Sequence, residues 1–258
     1  MPYAVVTGPT SGIGRAFAES LAAQGHDLLL VSRDARRLED VAGELKSVYG
    51  VDVRCEAADL TVRQEIARIA AILRSENVDV LVNNAGFGIK GGVLDTSVDD
   101  EQRMLDVLTT TVLQFTHAVL PGMVERGRGY VFTVSSVAGW ITGGTYSAAK
   151  AWATVFTEGL QADLAGTGVR AIAVCPGYTR TEFHARANID MTSVSDVMWL
   201  DASDVVAQAF RDARAGRVVS VAGLQYKALS VLLHVLPRPF IRWVGGARQI
   251  SARFGRDR

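Results

Sequence analysis

The feature that most constrains this chain is an alternation, kept up from the amino terminus to about residue 221, of short β-branched apolar runs with longer stretches of helical periodicity. Strict alternation of strand and helix is the pattern of βαβ units, whose strands run parallel and need helices over both faces of the sheet. Strands are predicted at Tyr3–Thr7, Asp27–Ser32, Val51–Ala57, Val80–Asn83, Tyr130–Ser135, Ala171–Cys175 and Val218–Val221. Helices are predicted at Ile13–Gln24, Ala35–Tyr49, Val62–Ser75, Val98–Val124, Tyr146–Leu164 and Asp204–Ala215, several opened by a Ser, Thr or Asp able to cap the first amides. The expected class is α/β, a single doubly wound domain with a seven-stranded parallel sheet. No low-complexity linker or internal repeat divides the chain.

Charge narrows the partners. Lys plus Arg and Asp plus Glu stand at 27 each, so no long-range field draws in nucleic acid or an anionic membrane, and any basic site must be local. Cys55 and Cys175 lie in apolar stretches, without metal-site spacing or the density of a disulfide scaffold, and His117 and His184 are too isolated to suggest a metal. Met1 leads almost directly into an apolar run without a charged n-region or cleavage site, so a cytoplasmic location is expected. Tyr226–Val244 is strongly apolar but broken by His234, Pro237, Arg238, Pro239 and Arg242. It is too interrupted for a spanning helix of about 20 residues. Packing on the core or on another subunit is the favoured reading, ahead of a membrane-surface contact.

The first strand runs into Thr7-Gly8-Pro9-Thr10-Ser11-Gly12-Ile13-Gly14 and then a helix. Glycines are needed where backbone closes on a pyrophosphate, and a helix amino terminus supplies free amides and the positive end of a dipole. Gly8, Thr10, Ser11, Gly12, Ile13 and Gly14 are therefore the candidate phosphate loop of a Rossmann-type fold, although the spacing G-x-x-x-G-x-G is longer than the common G-x-G-x-x-G. The second strand ends at Ser32-Arg33-Asp34, where an arginine accommodates the extra phosphate of NADP and a carboxylate accepts from the ribose of NAD. Arg33 favours NADP(H), with NAD(H) as the alternative if Asp34 takes its place; Arg15 is a second candidate cation.

The strand ending at Ser135-Ser136 leads through a glycine-containing loop to Tyr146-Ser-Ala-Ala-Lys150 at a helix start. Residues four apart share a helix face, so Tyr146 and Lys150 point into one cleft. A phenol is a poor base at neutral pH, but a nearby ammonium favours its ionised form. Tyr146 is then the candidate acid/base at a carbonyl or alcohol oxygen, with Ser136 hydrogen-bonded to that oxygen. Ser135 is the weaker choice, because its side chain should face the other side of the strand.

Together these motifs resemble the short-chain dehydrogenase/reductase family: TGPTSGIG at 7–14, Asp59-Leu60, NNAG at 83–86, VSS at 134–136, YSAAK at 146–150 and PGYTRT at 176–181. The ordered set covers Tyr3 to about Val221. The resemblance implies that Gly8–Gly14 hold pyrophosphate and that Asp59 and Leu60 lie along the adenine. It implies that Asn83, Ala85 and Gly86 line the cofactor cleft, that Lys150 binds the nicotinamide ribose beside Tyr146, and that Pro176, Gly177 and Thr181 approach the nicotinamide. Residues 1–223 are then a dinucleotide-binding catalytic unit with a substrate-loop insertion at about 178–202, and residues 224–258 an apolar and basic helical extension of it. Apolar residues of the insertion (Phe183, Ile189, Met191, Val194, Met198, Trp199, Leu200) suggest a lid over a fairly apolar small-molecule carbonyl or alcohol. A homodimer or homotetramer through the long helices is also implied.

Two departures stand out. Many family members carry an asparagine in the long helix that organises a water-linked proton path to the lysine; Leu108 occupies that place here, so either Thr109, Thr110 or bound water replaces the relay, the favoured reading, or proton exchange with solvent is slower than usual. Ser136 and Tyr146 are ten residues apart, about three fewer than is usual, a deletion that Gly139, Gly143 and Gly144 make tolerable. Leu108 also motivates an alternative function, a dinucleotide-binding sensor or scaffold with weak or no turnover.

Overall fold

A computed structural model describes residues 1–187, 191 and 194–242. In chain order its elements are β1 (Tyr3–Thr7), α1 (Gly12–Ala23), β2 (Asp27–Ser32), α2 (Ala35–Tyr49), β3 (Val53–Ala57), α3 (Arg63–Ser75), β4 (Val80–Asn83), α4 (Val98–Leu105), a π-helical turn at Asp106–Thr110, α5 (Thr111–Glu125), β5 (Gly129–Val134), a 3-10 turn at Val137–Trp140, α6 (Gly144–Asp163), β6 (Val169–Val174), α7 (Phe183–Arg186), a 3-10 turn at Asp196–Met198, α8 (Ala202–Arg214), β7 (Val219–Ser220) and α9 (Leu224–Val235). The seven strands form one sheet in the order β3-β2-β1-β4-β5-β6-β7, every neighbour parallel.

Side chains alternate across that sheet. Ala4, Val6, Leu28, Leu30 and Phe132 pack under α1, α2 and α8, whereas Val5, Leu29, Val31, Leu81 and Val131 pack under α3, α5 and α6. Both faces are dry, which is why the strands read as continuous apolar runs. Each Leu so buried contributes about 1.5–3 kcal/mol relative to exposure.

Element boundaries fall within two residues of expectation except in the long helix. Residues 98–125 form one continuous 28-residue rod that is long and apolar enough to cross a membrane, yet Phe115 and Met123 are fully buried against the sheet, which makes it a core helix. Its middle is wound as π-helix. Threonine hydroxyls bond back onto the backbone there, Thr109 Oγ1 to Leu105 O at 2.6 Å and Thr111 Oγ1 to Asp106 O at 2.9 Å. Such back-bonding competes with the regular helical ladder, and π-turns gather at functional sites.

The 178–202 insertion is tied down at its two ends. Thr179 bridges Leu200, with Tyr178 O accepting from Leu200 N at 2.8 Å and Leu200 O accepting from Arg180 N at 2.9 Å. Tyr178 and Trp199 lean together with ring centroids 6.0 Å apart. Ile189, expected in the lid, and Trp243 and Val244, expected in the tail, lie outside the described residues, as does all of the extension beyond residue 242.

Candidate active site

Because all strands are parallel, the carboxyl ends of β1, β4, β5 and β6 open on one edge. The strand order reverses between β1 and β4, the place where doubly wound sheets leave a crevice.

The Gly8–Gly14 loop wraps that crevice. Gly8 and Gly12 have φ of +65° and +57°, a left-handed backbone that other residues resist. A Cβ on Gly14 would lie 2.2 Å from Gly8 O, and one on Gly12 would lie 2.5 Å from the Thr181 methyl. No side chain fits either position, so the loop presents backbone. Ser11 precedes α1 in an extended conformation and its hydroxyl does not cap the helix, and first-turn amides have no intrahelical partner. Those donors and the bare glycines match an anionic pyrophosphate. Thr10 is half-buried, Ile13 packs against the core under α1, and Thr181 closes over Gly12 from the insertion.

Two residues absent from the sequence candidates hold this loop. Thr7 Oγ1 accepts from the amides of Asn84 and Ala85, each at 2.9 Å, and Asn84 Nδ2 donates to Thr7 O at 2.9 Å and Gly8 O at 3.1 Å. Asn83 is turned the other way: it is buried and donates to Thr116 Oγ1 at 3.1 Å, so it ties β4 to α5 and does not line the cleft. The NNAG motif points to both asparagines, and only the alternation of side chains across the sheet separates them.

At the end of β2, Arg33 is exposed and makes no bond to the protein among the described residues. Arg15, the second candidate cation, pairs with Glu19 at 2.6 Å and Glu44 at 2.5 Å. Asp34 caps α2, accepting from Arg37 N at 3.1 Å. Asp59 Oδ1 accepts from Thr61 N and Oγ1 at 3.0 and 2.8 Å, while Leu60 is buried in the core under α3. Pro176 O accepts from Val137 N at 3.1 Å, and Gly177 lies flat on the Tyr226 ring, where a Cβ would come within 1.9 Å of it.

Ser136, Tyr146 and Lys150 meet where β5 ends. The two serines diverge as strand geometry requires. Ser135 is buried, donating to Lys150 O at 2.6 Å and pairing with Thr154 Oγ1 at 2.7 Å. Ser136 is half-buried; its hydroxyl accepts from Ala138 N at 3.1 Å, and its nearness to the Tyr146 phenol lowers the phenol's pKa. Desolvation outweighs that effect and pushes Tyr146 up. Lys150 is buried, and desolvation pushes its amine down to about 8. The amine donates to Val134 O at 2.7 Å and lies 5.8 Å from the centre of the Tyr146 ring. Tyr146 thus holds its proton at neutral pH.

The wall beyond this group is apolar. Met104, Leu108 and Ala149 form a small buried cluster on which Phe87, Ile89 and Tyr146 pack, and Phe183 of α7 leans on Tyr146 with centroids 5.7 Å apart. A Cβ on Gly86 would sit 2.9 Å from Leu108 Cδ2 and 3.8 Å from Lys150 Nζ, so Gly86 lies where the leucine and the amine converge. Thr109 and Thr110 do not replace the missing asparagine: their hydroxyls bond Leu105 O and Asp106 Oδ1, at 2.6 and 3.1 Å.

Comparison with known proteins follows the same lines. The family model for short chain dehydrogenases matches residues 2–192. Very-long-chain 3-oxoacyl-CoA reductase of Anas platyrhynchos is 38% identical over 191 residues, covering 70% of this chain and 60% of the duck protein, so the match spans well under two thirds of that relative. The NADP-dependent 3-hydroxy acid dehydrogenase of Escherichia coli is 36% identical over 186 residues, covering 69% of this chain and 73% of that protein. Among solved structures, a short-chain dehydrogenase from Sphingobium yanoikuyae in complex with NADPH superposes with a TM-score of 0.83 at 31% identity, covering 92% of this chain and 96% of the other.

Proposed function

The chain belongs to the short-chain dehydrogenase family, and from that premise we propose that it is an NADP-preferring oxidoreductase acting on a carbonyl or secondary alcohol of a fairly apolar small molecule. One observation carries the reading: Tyr146, beside Ser136 and sharing a helix face with Lys150, faces an apolar wall beside the glycine loop. When bound, the nicotinamide supplies or accepts the hydride.

The chain's own residues do the rest. In reduction the protonated Tyr146 phenol gives its proton to the carbonyl oxygen, and Ser136 donates a hydrogen bond to the same oxygen as negative charge grows on it. In oxidation the phenolate takes the proton back. Lys150, as an ammonium, stabilises that phenolate and binds the nicotinamide ribose. Phe87, Leu108 and Phe183 exclude water from the reacting carbon and offer nothing for a polar substrate group to bond. Gly8–Gly14 hold pyrophosphate, with Asp59, Ala85 and Gly86 along the cleft and Pro176, Gly177 and Thr181 toward the nicotinamide.

Cofactor preference rests on Arg33 at the end of β2, whose guanidinium makes no bond among the described residues, and on Asp34 being occupied as a cap. The test is hydride transfer from NADPH across a panel of ketones and aldehydes, lost in Tyr146→Phe while NADPH binding persists. Arg33→Asp is expected to weaken NADPH by roughly 10- to 100-fold, the worth of a charge-assisted bond, and to spare NADH. Equal loss of both would remove Arg33 from the 2′-phosphate.

Leu108, which puts a methyl where a polar relay would stand, favours a second reading as a dinucleotide-binding sensor; NADPH binding without transfer to any carbonyl would support it. In either case we place the protein in the cytoplasm as a homodimer or homotetramer. The exposed face of α6, with Val155 beside the stacked Trp152–Phe156 pair, supports that assembly, and sedimentation velocity tests it.

A further inference from the structure

Helix α9 has two unlike faces. Inward, Tyr226 is 1% exposed; its hydroxyl donates to Met198 O at 2.7 Å and accepts from Tyr178 N at 2.9 Å. This face locks the helix to both ends of the 178–202 insertion. Outward lie Leu224, Ala228, Val231, Leu232 and Val235, all exposed and spaced i, i+4, i+7, i+8 and i+11, which puts them on a single stripe. Leu224 is 82% and Val235 73% exposed. Val197, also exposed, extends the stripe, because Gln225 Nε2 bonds its carbonyl at 3.2 Å. A surface helix ordinarily turns charged residues outward, yet Lys227 is the only Lys, Arg, Asp or Glu of α9 and it stands at the edge of the stripe.

Charge indicates what covers this face. Residues 224–258 contain seven of the 27 Lys and Arg and one of the 27 Asp and Glu, so this segment carries +6 and the remainder −6. Arg238 and Arg242, just beyond α9, are exposed. The buried Ile241 between them, whose carbonyl accepts from Thr142 Oγ1 at 3.4 Å, anchors that turn to the body of the protein. Pairing α9 with α9 of a second copy would bring two +6 segments together. Twelve helical residues reach about 18 Å, short of a bilayer's hydrocarbon core. An apolar stripe followed by clustered arginines fits the interface of an anionic membrane, with the stripe in the acyl boundary and the guanidinium groups among lipid phosphates.

We propose that the outer face of α9 and the arginines after it dock the protein on an anionic bilayer surface. The proposal stands apart from the reaction assigned above, since membrane docking and hydride transfer are measured separately. The test is flotation of the full chain with vesicles of phosphatidylcholine alone and of phosphatidylcholine mixed equally with phosphatidylglycerol, at low and high salt. Binding to the anionic vesicles, weakened by salt and at least about tenfold by Val231→Glu with Leu232→Glu or by Arg238→Gln with Arg242→Gln, is expected. Both pairs are exposed and outside the cofactor cleft, and unchanged melting temperature and NADPH affinity certify that the variants fold. No binding, equal binding to neutral vesicles, or a solution dimer dispersed by the glutamate pair overturns the proposal.

Discussion

Lys150 sets the pH behaviour to expect of the site. Its pKa is depressed to about 8 by burial, so the amine is charged below that value and neutral above it, whereas Tyr146, pushed up, keeps its proton through the same range. Reductive kcat/KM should therefore fall as pH rises through about 8, and the limb should vanish in Lys150→Arg, whose guanidinium does not titrate there. A limb that survives that change belongs to another group. The two serines divide just as sharply. Ser136→Ala should cost activity with little change in stability. Ser135→Ala removes two buried hydrogen bonds, to Lys150 O and Thr154 Oγ1, and should lower stability by about 1–2 kcal/mol in thermal unfolding while Tyr146 still transfers its proton. Leu108→Asn buries an amide in an apolar cluster and is expected to cost about 1–3 kcal/mol without raising kcat. A gain in kcat would mean that proton resupply at this position limits turnover.

Among the elements, α2, α7 and the phosphate loop are joined by one arginine. Arg37 Nη2 donates to Thr10 O at 3.2 Å and to Glu182 at 3.0 Å, and Nη1 reaches Glu182 at 3.2 Å; Glu182 also pairs with Arg186. The Arg37 guanidinium, hydrogen-bonded to Glu182 with Arg186 adding its charge, holds that carboxyl below its ordinary range. The pair is exposed, so its worth is about 0.2–1 kcal/mol. Arg37→Ala should raise KM for the carbonyl substrate a few-fold, leave kcat nearly unchanged and speed proteolysis within 178–202. Unaltered proteolysis would show that the segment is held by the Thr179–Leu200 bridge and Tyr226 without help from Arg37. Gly177→Ala should be far more damaging, because its Cβ would collide with the Tyr226 ring and push α9 off the insertion.

At the scale of the molecule, a net charge of zero conceals a body of −6 and a carboxyl-terminal segment of +6. Such a chain has little net repulsion to keep copies apart near its pI of 6.9, and it presents an apolar stripe as well. Val231→Glu with Leu232→Glu should raise solubility at neutral pH, read as the protein concentration at which turbidity begins; no change would mean that the stripe is covered in solution. The body itself is one sheet clad on both faces, and the carboxyl ends of its strands place the loops that hold cofactor and reacting groups on a common edge.

Local pattern determined the architecture of this protein. Strand and helix periodicities, a glycine loop between β1 and α1, and the four-residue step from Tyr146 to Lys150 are short-range facts, and the seven strands, their parallel pairing and the shared face of that pair follow from them. Tertiary structure decided which of several equivalent residues does which task. Asn84 takes the loop and Asn83 the core, Ser136 meets the phenol and Ser135 the helix, and Arg15 pairs with two glutamates while Arg33 makes no bond among the described residues. Neighbours in sequence look alike until a sheet gives them opposite faces and distant partners claim their donors. The same holds for Tyr226–Val235, an apolar run in sequence whose buried and exposed sides exist only once Gly177 and Met198 have chosen the face that Tyr226 turns inward.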